Sequence, residues 1–274
     1  MASPRASTTS PTLPDESSTP TSDRLIVAAA LVAITALAWL GVFRFASATG
    51  IDARGMAMTM ADGGSWSAAD FLLTFLMWAV MMVAMMTPAA AATVLVFARV
   101  DRQRQRTAER SPFPATMAFL AGYLVVWTAF SVFATLFQWG LHSAAVLSPE
   151  IVRATPRVAG VLLLMAGAYQ LTPLKDGCLS RCRSPVGFLL TEWREGSRGA
   201  LVMGIRHGRA CVGCCWLVMT LLFVAGVMNL LWIAIIAVFV LAERAAPAGQ
   251  WVGRAMGAVA IAVGAVMLIR GVSA

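Results

Sequence analysis

Long apolar runs, each near the length of a bilayer crossing, alternate with short arginine-bearing connections along this chain. A spanning helix needs about 20 mostly apolar residues. The first run extends from about Leu25 to Phe43 and the second from about Phe71 to Phe97. Asp70 stands where an N-cap would, and Pro88 inside the second run predicts a kink, because proline removes a backbone donor. The third runs from about Pro114 to Trp139 and the fourth from about Val158 to Leu174. A connection of roughly 35 residues, read as a long loop, then leads to the stretch from Cys211 to Ala242. As one helix that stretch would be about 48 Å long at 1.5 Å per residue, against a hydrocarbon core of about 30 Å. Gly226 and Asn229 offer a break, so two short spans are expected there. Asn229 itself is expected to be buried and bonded to a neighbouring helix. The last run extends from about Val252 to Ile269, with Gly253 and Gly257 at a spacing that permits close helix packing.

The pattern predicts an all-α polytopic transmembrane bundle of seven spans, or six if the broken stretch crosses once. Residues 1–23, rich in Ser, Thr and Pro, read as a disordered tail ahead of a helical membrane domain over 24–274. No cleavable signal peptide is recognised, so the first run is expected to act as an uncleaved anchor. Composition agrees. The 274 residues are 59% apolar and only 12% charged, about half the charged fraction of ordinary soluble domains.

Charge then orients the chain. Arg99, Arg102, Arg104, Arg106 and Arg110 follow the second span, and Lys175, Arg181, Arg183, Arg194, Arg198, Arg206 and Arg209 follow the fourth. Both connections are cytoplasmic, as the positive-inside rule requires, if the N-terminus is cytoplasmic. The net charge of +8 is thereby accounted for by membrane topology, and no nucleic-acid partner is expected. The lipid bilayer is the expected partner.

The candidate chemistry lies beside one of these connections. All five cysteines border it, with Cys178 and Cys182 just after the fourth span and Cys211, Cys214 and Cys215 at the start of the next. His207, Cys211, Cys214 and Cys215 fall at i, i+4, i+7 and i+8, one face of a helix. Cys178 and Cys182, at i and i+4, would make a second face. Thiolates and imidazole suit zinc, Cu(I) and iron–sulfur clusters, and the cytoplasm disfavours structural disulfides. Thiol redox chemistry through Cys211 and Cys214, and plain packing of small apolar side chains, also fit this spacing.

Met56, Met58 and Met60 alternate in the expected external connection and would face one side of an extended strand. Thioethers select Cu(I) over harder ions. External methionines and internal cysteines therefore suit one soft ion, Cu(I) first and zinc second. Met77, Met81 and Met85, with Met82 and Met86 beside them, read mainly as core filler. Asp and Glu are absent from mid-span positions, which argues against a carboxylate-driven transporter of hard cations. Glu243 is expected to pair with Arg244 or solvent, His142 to be solvated, and Tyr169 and Gln170 to hydrogen-bond near Cys178. Gly208 and Gly213 read as ordinary glycines. No nucleophile–base arrangement is evident, so an enzyme is the weaker expectation.

Three runs of residues carry a family resemblance. The first is Trp78, Met81, Met82, Met85, Met86 and Pro88; the second is Tyr169, Gln170, Pro173 and Lys175 followed by Cys178, Cys182, Arg183 and Pro185. The third is Gly204, His207, Gly208, Cys211, Gly213, Cys214, Cys215 and Trp216, continuing to Gly226, Met228, Asn229 and Glu243. Together these resemble a bacterial family of integral membrane proteins named for predicted metal binding, over roughly residues 70–270. The resemblance implies a multi-pass protein of the bacterial inner membrane that binds a metal ion, for transport, handling or a structural role in an accessory subunit. It names no metal and does not reach Met56, Met58 and Met60.

Overall fold

The computed structural model describes residues 20–61, 66–104, 113–144, 147–148 and 153–272. Arg106, Arg110 and nearly all of the expected tail lie outside them. The described residues are almost wholly helical, in agreement with the all-α expectation. Helix α1 spans Pro20–Ala61, α2 Ala68–Arg104 and α3 Phe113–Ser143. A two-residue antiparallel bridge joins β1 (Leu147–Ser148) to β2 (Arg153–Ala154). Then come α4 (Pro156–Gln170), α5 (Pro173–Arg183), α6 (Pro185–Glu192), α7 (Gly196–Thr220), α8 (Leu222–Ala225), α9 (Leu230–Ala245) and α10 (Gly249–Val272).

Five helices are long and apolar enough to cross a membrane: Arg24–Ser47 within α1, Ala68–Arg104, Phe113–Ser143, Gly196–Ala225 and Gly249–Arg270. The pair α4 and α5, bent by 66° at Leu171 and Thr172, makes a sixth if counted as one broken span. Helix α9 is strongly apolar but only 16 residues long.

Local chemistry sets the helix ends, and in places differs from the sequence reading. Ser67, rather than Asp70, caps α2. The Ser67 hydroxyl accepts from Asp70 N at 3.3 Å, while Asp70 Oδ2 accepts from Ser67 N at 2.8 Å. That reciprocal pair is a capping box, with the acid at N3. Helix α2 runs without a break past Pro88. Thr172 caps α5 through Lys175 N, and Pro173 follows at the first helical position, where its missing donor costs nothing. The expected loop after the fourth span is instead α5, α6 and the first half of α7. Arg198, Arg206 and Arg209 are tolerated because α7 presents them outward, as α5 does Arg181, whereas Arg183 turns inward to backbone carbonyls. Gly226, at φ 97°, ends α8, a conformation that favours glycine. Asn229 is exposed and caps α9 through Trp232 N rather than bonding a neighbouring helix.

Packing relies on small residues. A Cβ on Gly204 would strike the Phe119 carbonyl oxygen, and one on Gly122 the Leu201 carbonyl oxygen, so α3 and α7 approach backbone to backbone. Helices α4 and α10 run antiparallel through two glycine pairs, Gly160 with Gly264 and Gly167 with Gly257. Gly257 therefore packs as its spacing suggests, whereas Gly253 faces the Glu243 carboxylate. Met81, Met82, Met85 and Met86 are buried in the core beside Trp78, whose Nε1 donates to Gln138 Oε1 at 2.8 Å.

Candidate metal centre

Helix α7 carries His207, Cys211, Cys214 and Cys215 on one buried stripe, as their spacing predicts. Cys211 lies fifteen residues into the helix (211 − 196), about 22 Å from its start at 1.5 Å per residue. The stripe is therefore mid-helix, not at the beginning of a span. Cys214 and Cys215 each bring Sγ to the Cys211 carbonyl oxygen, at 3.1 and 2.9 Å. All five cysteines are free thiols.

The bend after α4 folds α5 back against α7. This brings the second cysteine pair to the first. The thiol of Cys182 interacts with those of Cys211 and Cys214. Cys178, half-buried, lies against Gly213, where an added Cβ would meet its Sγ at 2.8 Å. Gly213 is thus the surface on which Cys178 rests, a role its sequence context does not reveal. The Tyr169 hydroxyl donates to the Gly213 carbonyl oxygen and ties α4 to the same turn of α7. Gln170 is buried with its Oε1 unbonded.

His207 is packed among the rings of Phe119, Tyr123 and Phe188, with centroids 6.1, 5.7 and 5.2 Å away. Its Nδ1 is buried without a hydrogen-bond partner. Gly208, one residue on, packs against Val126 and the Tyr123 carbonyl and lets α3 come close.

Two contributors were not singled out from sequence. The Tyr123 hydroxyl lies 3.0 Å from both Cys211 Sγ and the Met86 carbonyl oxygen. Arg244, near the end of α9, is buried with Nη2 at 2.9 Å from Cys211 Sγ, 3.3 Å from Cys214 Sγ and 3.7 Å from Cys215 Sγ. Its Nε and Nη1 have no hydrogen-bond partner. Glu243 does not pair with Arg244 or solvent. Its Oε1 accepts from Lys175 Nζ at 2.5 Å, and both side chains are 2% exposed. Arg183 donates to the carbonyl oxygens of Glu243, Ala246 and Pro247 and fixes the turn into α10. A clue to Arg244 was available: a cation closing an apolar run, adjacent to an acid, needs partners.

Among the described residues, no group of three or more His, Cys, Asp or Glu is arranged to hold a metal ion. The guanidinium nitrogen stands among the three α7 sulfurs at hydrogen-bonding distances, longer than a thiolate–zinc bond of about 2.3 Å. Met56, Met58 and Met60 fall on the last turns of α1, not on an extended segment. Residues two apart on a helix do not share a face, and these side chains lie outside the described residues. His142 is not simply solvated, since its Nδ1 accepts from Trp66 Nε1 at 3.3 Å.

A family model described as a copper chaperone (PpoB2) matches residues 75–267, well over half of the chain, and the chain belongs to that family. The match takes in all five cysteines, His207 and Arg244, and leaves out Met56, Met58 and Met60. No curated protein and no solved structure matches.

Proposed function

With membership of the copper chaperone family as the premise, we propose that this chain is a multi-pass protein of the bacterial inner membrane that takes Cu(I) as cargo on a thiol cluster. Cys211 and Cys214 are the primary ligands. Cys182, Cys215, Cys178 and His207 surround that pair as alternate donors, available while the ion is passed in or out. The observation that carries the reading is the convergence of α5 and α7, which brings the Cys182 thiol to those of Cys211 and Cys214 in a buried, soft-ligand setting. Soft thiolates favour Cu(I) over harder ions.

Placement at the cytoplasmic face rests on the helix ends. Helix α4 ends at Gln170, α9 ends at Ala245 and α10 begins at Gly249, all beside the thiols. Charged groups collect at the same level, in the Lys175–Glu243 and Arg254–Asp176 pairs and at Arg183. Helix α4 ends at that belt, α10 begins there and the two run antiparallel, so both apolar bodies extend from it toward the same side. With α9 counted as a short span we read seven crossings, and the positive-inside rule then supports a cytoplasmic N-terminus, with the segments Arg99 to Arg110 and Lys175 to Arg209 on that side. Zinc is the second candidate ion. The Met56–Met60 segment is proposed as an external capture site for the same soft ion.

The test is anaerobic titration of the purified full chain in detergent with Cu(I), held by a chromophoric Cu(I) chelator. Uptake of about one ion per chain, lost in Cys214→Ser, is expected, because a ligand set that loses a soft donor loses most of its affinity. Protein that takes up no copper and instead cycles between a dithiol and a Cys211–Cys214 disulfide would overturn the cargo reading in favour of an oxidoreductase.

A further inference from the structure

The thiol cluster contains a cation. Arg244 is buried at the end of α9, and Nη2, which carries two hydrogens, lies nearest to the sulfurs of Cys211 and Cys214 at 2.9 and 3.3 Å. Among the described residues no carboxylate lies within ion-pair distance of it. The neighbouring acid, Glu243, is bonded to Lys175, so that pair is neutral on its own. Nε and Nη1 are left without partners. A buried guanidinium in that position is uncompensated unless negative charge develops on the sulfurs, and buried charges are tolerated only when paired.

Building on the copper reading, we infer that Arg244 is the specificity-determining residue of the thiol site, selecting a monovalent ion held by two thiolates. Binding removes both thiol protons: Cu(I) and two thiols give a bis-thiolate complex of charge −1 and release two protons to solvent. The guanidinium brings the total to zero. A divalent ion on the same two thiolates forms a neutral complex and leaves the arginine uncompensated. Neutrality would then require a third thiolate, and a closed tetrahedral shell requires four donors. Those donors would have to converge where Nη2 stands, within 3.7 Å of all three α7 sulfurs. Two-coordinate Cu(I) makes no such demand, since it can bridge two sulfurs with the guanidinium beside them. Arg244 therefore acts through charge and through the space it fills, without ligating the ion.

The experiment compares wild type, Arg244→Gln and Arg244→Lys as full-length protein in detergent, under reducing anaerobic conditions. Cu(I) and Zn(II) affinities are measured separately by competition with chromophoric chelators. Arg244→Gln should weaken Cu(I) binding by about 100-fold, since removing one partner leaves the other buried charge uncompensated. Its Zn(II) affinity should hold or rise, and Arg244→Lys should keep most of the preference. Equal losses for both ions in Arg244→Gln would mean a structural role and overturn the inference, as would unchanged Cu(I) affinity. X-ray absorption at the copper edge of the wild-type chain gives a readout independent of how the variants fold. Two sulfur donors support the assignment, and three or four overturn it. A wild-type chain that binds no Cu(I) overturns the cargo reading, and this inference with it.

Discussion

Lys175 on α5 and Glu243 on α9 form a buried ion pair at 2.5 Å, and Glu243 is the residue immediately before the Arg244 that reaches into the thiols. The pair fastens α5, which carries Cys178 and Cys182, to the helix that carries the guanidinium. Its position therefore governs whether the two cysteine groups and Arg244 meet. A Cβ on Gly253 would strike the Glu243 carboxylate, so α10 closes the pair from its other side.

Breaking one partner should be costly. Glu243→Gln leaves the Lys175 ammonium buried without its counter-charge, and a loss of about 3–5 kcal/mol in stability is expected. Replacing both with apolar residues, Lys175→Met with Glu243→Leu, should recover most of that loss. Thermal unfolding of the detergent-solubilised chain, compared across single and double variants, gives the coupling. Additive losses would show that the pair does not act as a unit.

Gly213 should be intolerant of a side chain. Alanine there places a Cβ 2.8 Å from Cys178 Sγ, so the thiol must rotate away or α5 must move off α7. Overpacking of this kind costs about 1–3 kcal/mol. Gly213→Ala should lower the unfolding temperature while leaving Cys211, Cys214 and Arg244 in place. Cys178→Ala in the same background should relieve the clash. If the double variant is no more stable than Gly213→Ala, the contact is not the cause.

The topology can be read by labelling. Arg104, whose guanidinium lies 4.7 Å from the Trp193 ring centroid, closes α2 in the segment expected to face the cytoplasm. Arg104→Cys, with the five native cysteines changed to serine, should resist an impermeant thiol reagent added to intact cells and react after lysis. Reaction in intact cells would reverse the orientation.

Leucine at Met56, Met58 and Met60 together keeps the apolar bulk and removes the sulfur. If the segment captures Cu(I), copper uptake or copper sensitivity of cells should change at constant protein level, because the soft donors are gone. An unchanged phenotype would confine the soft-ion chemistry to the thiol cluster.

The periodicity of apolar residues by itself determined the helical architecture, the break at Gly226 and the shared face of His207, Cys211, Cys214 and Cys215. These follow from local geometry, since a helix repeats every 3.6 residues wherever it forms. It also identified which cysteines to bring together, because both groups border one segment. It misread that segment as a loop. The arginines there lower its mean hydropathy, but Pro173, Pro185 and the Thr172 cap start helices, and the cations that do not face outward, Lys175 and Arg183, find partners on α9 and the turn after it. What only the tertiary structure decided is the content of the cluster. Cys178 meets Gly213 because α5 folds back by 66°, Tyr123 meets Cys211 because glycines let α3 touch α7, and Arg244 arrives from a helix that begins beyond Asn229. Arg244 and Cys211 are 33 positions apart. No periodicity links residues at such a separation. Only the packing of whole helices, set by backbone approach at glycines and by the Lys175–Glu243 pair, places a positive charge among the thiols.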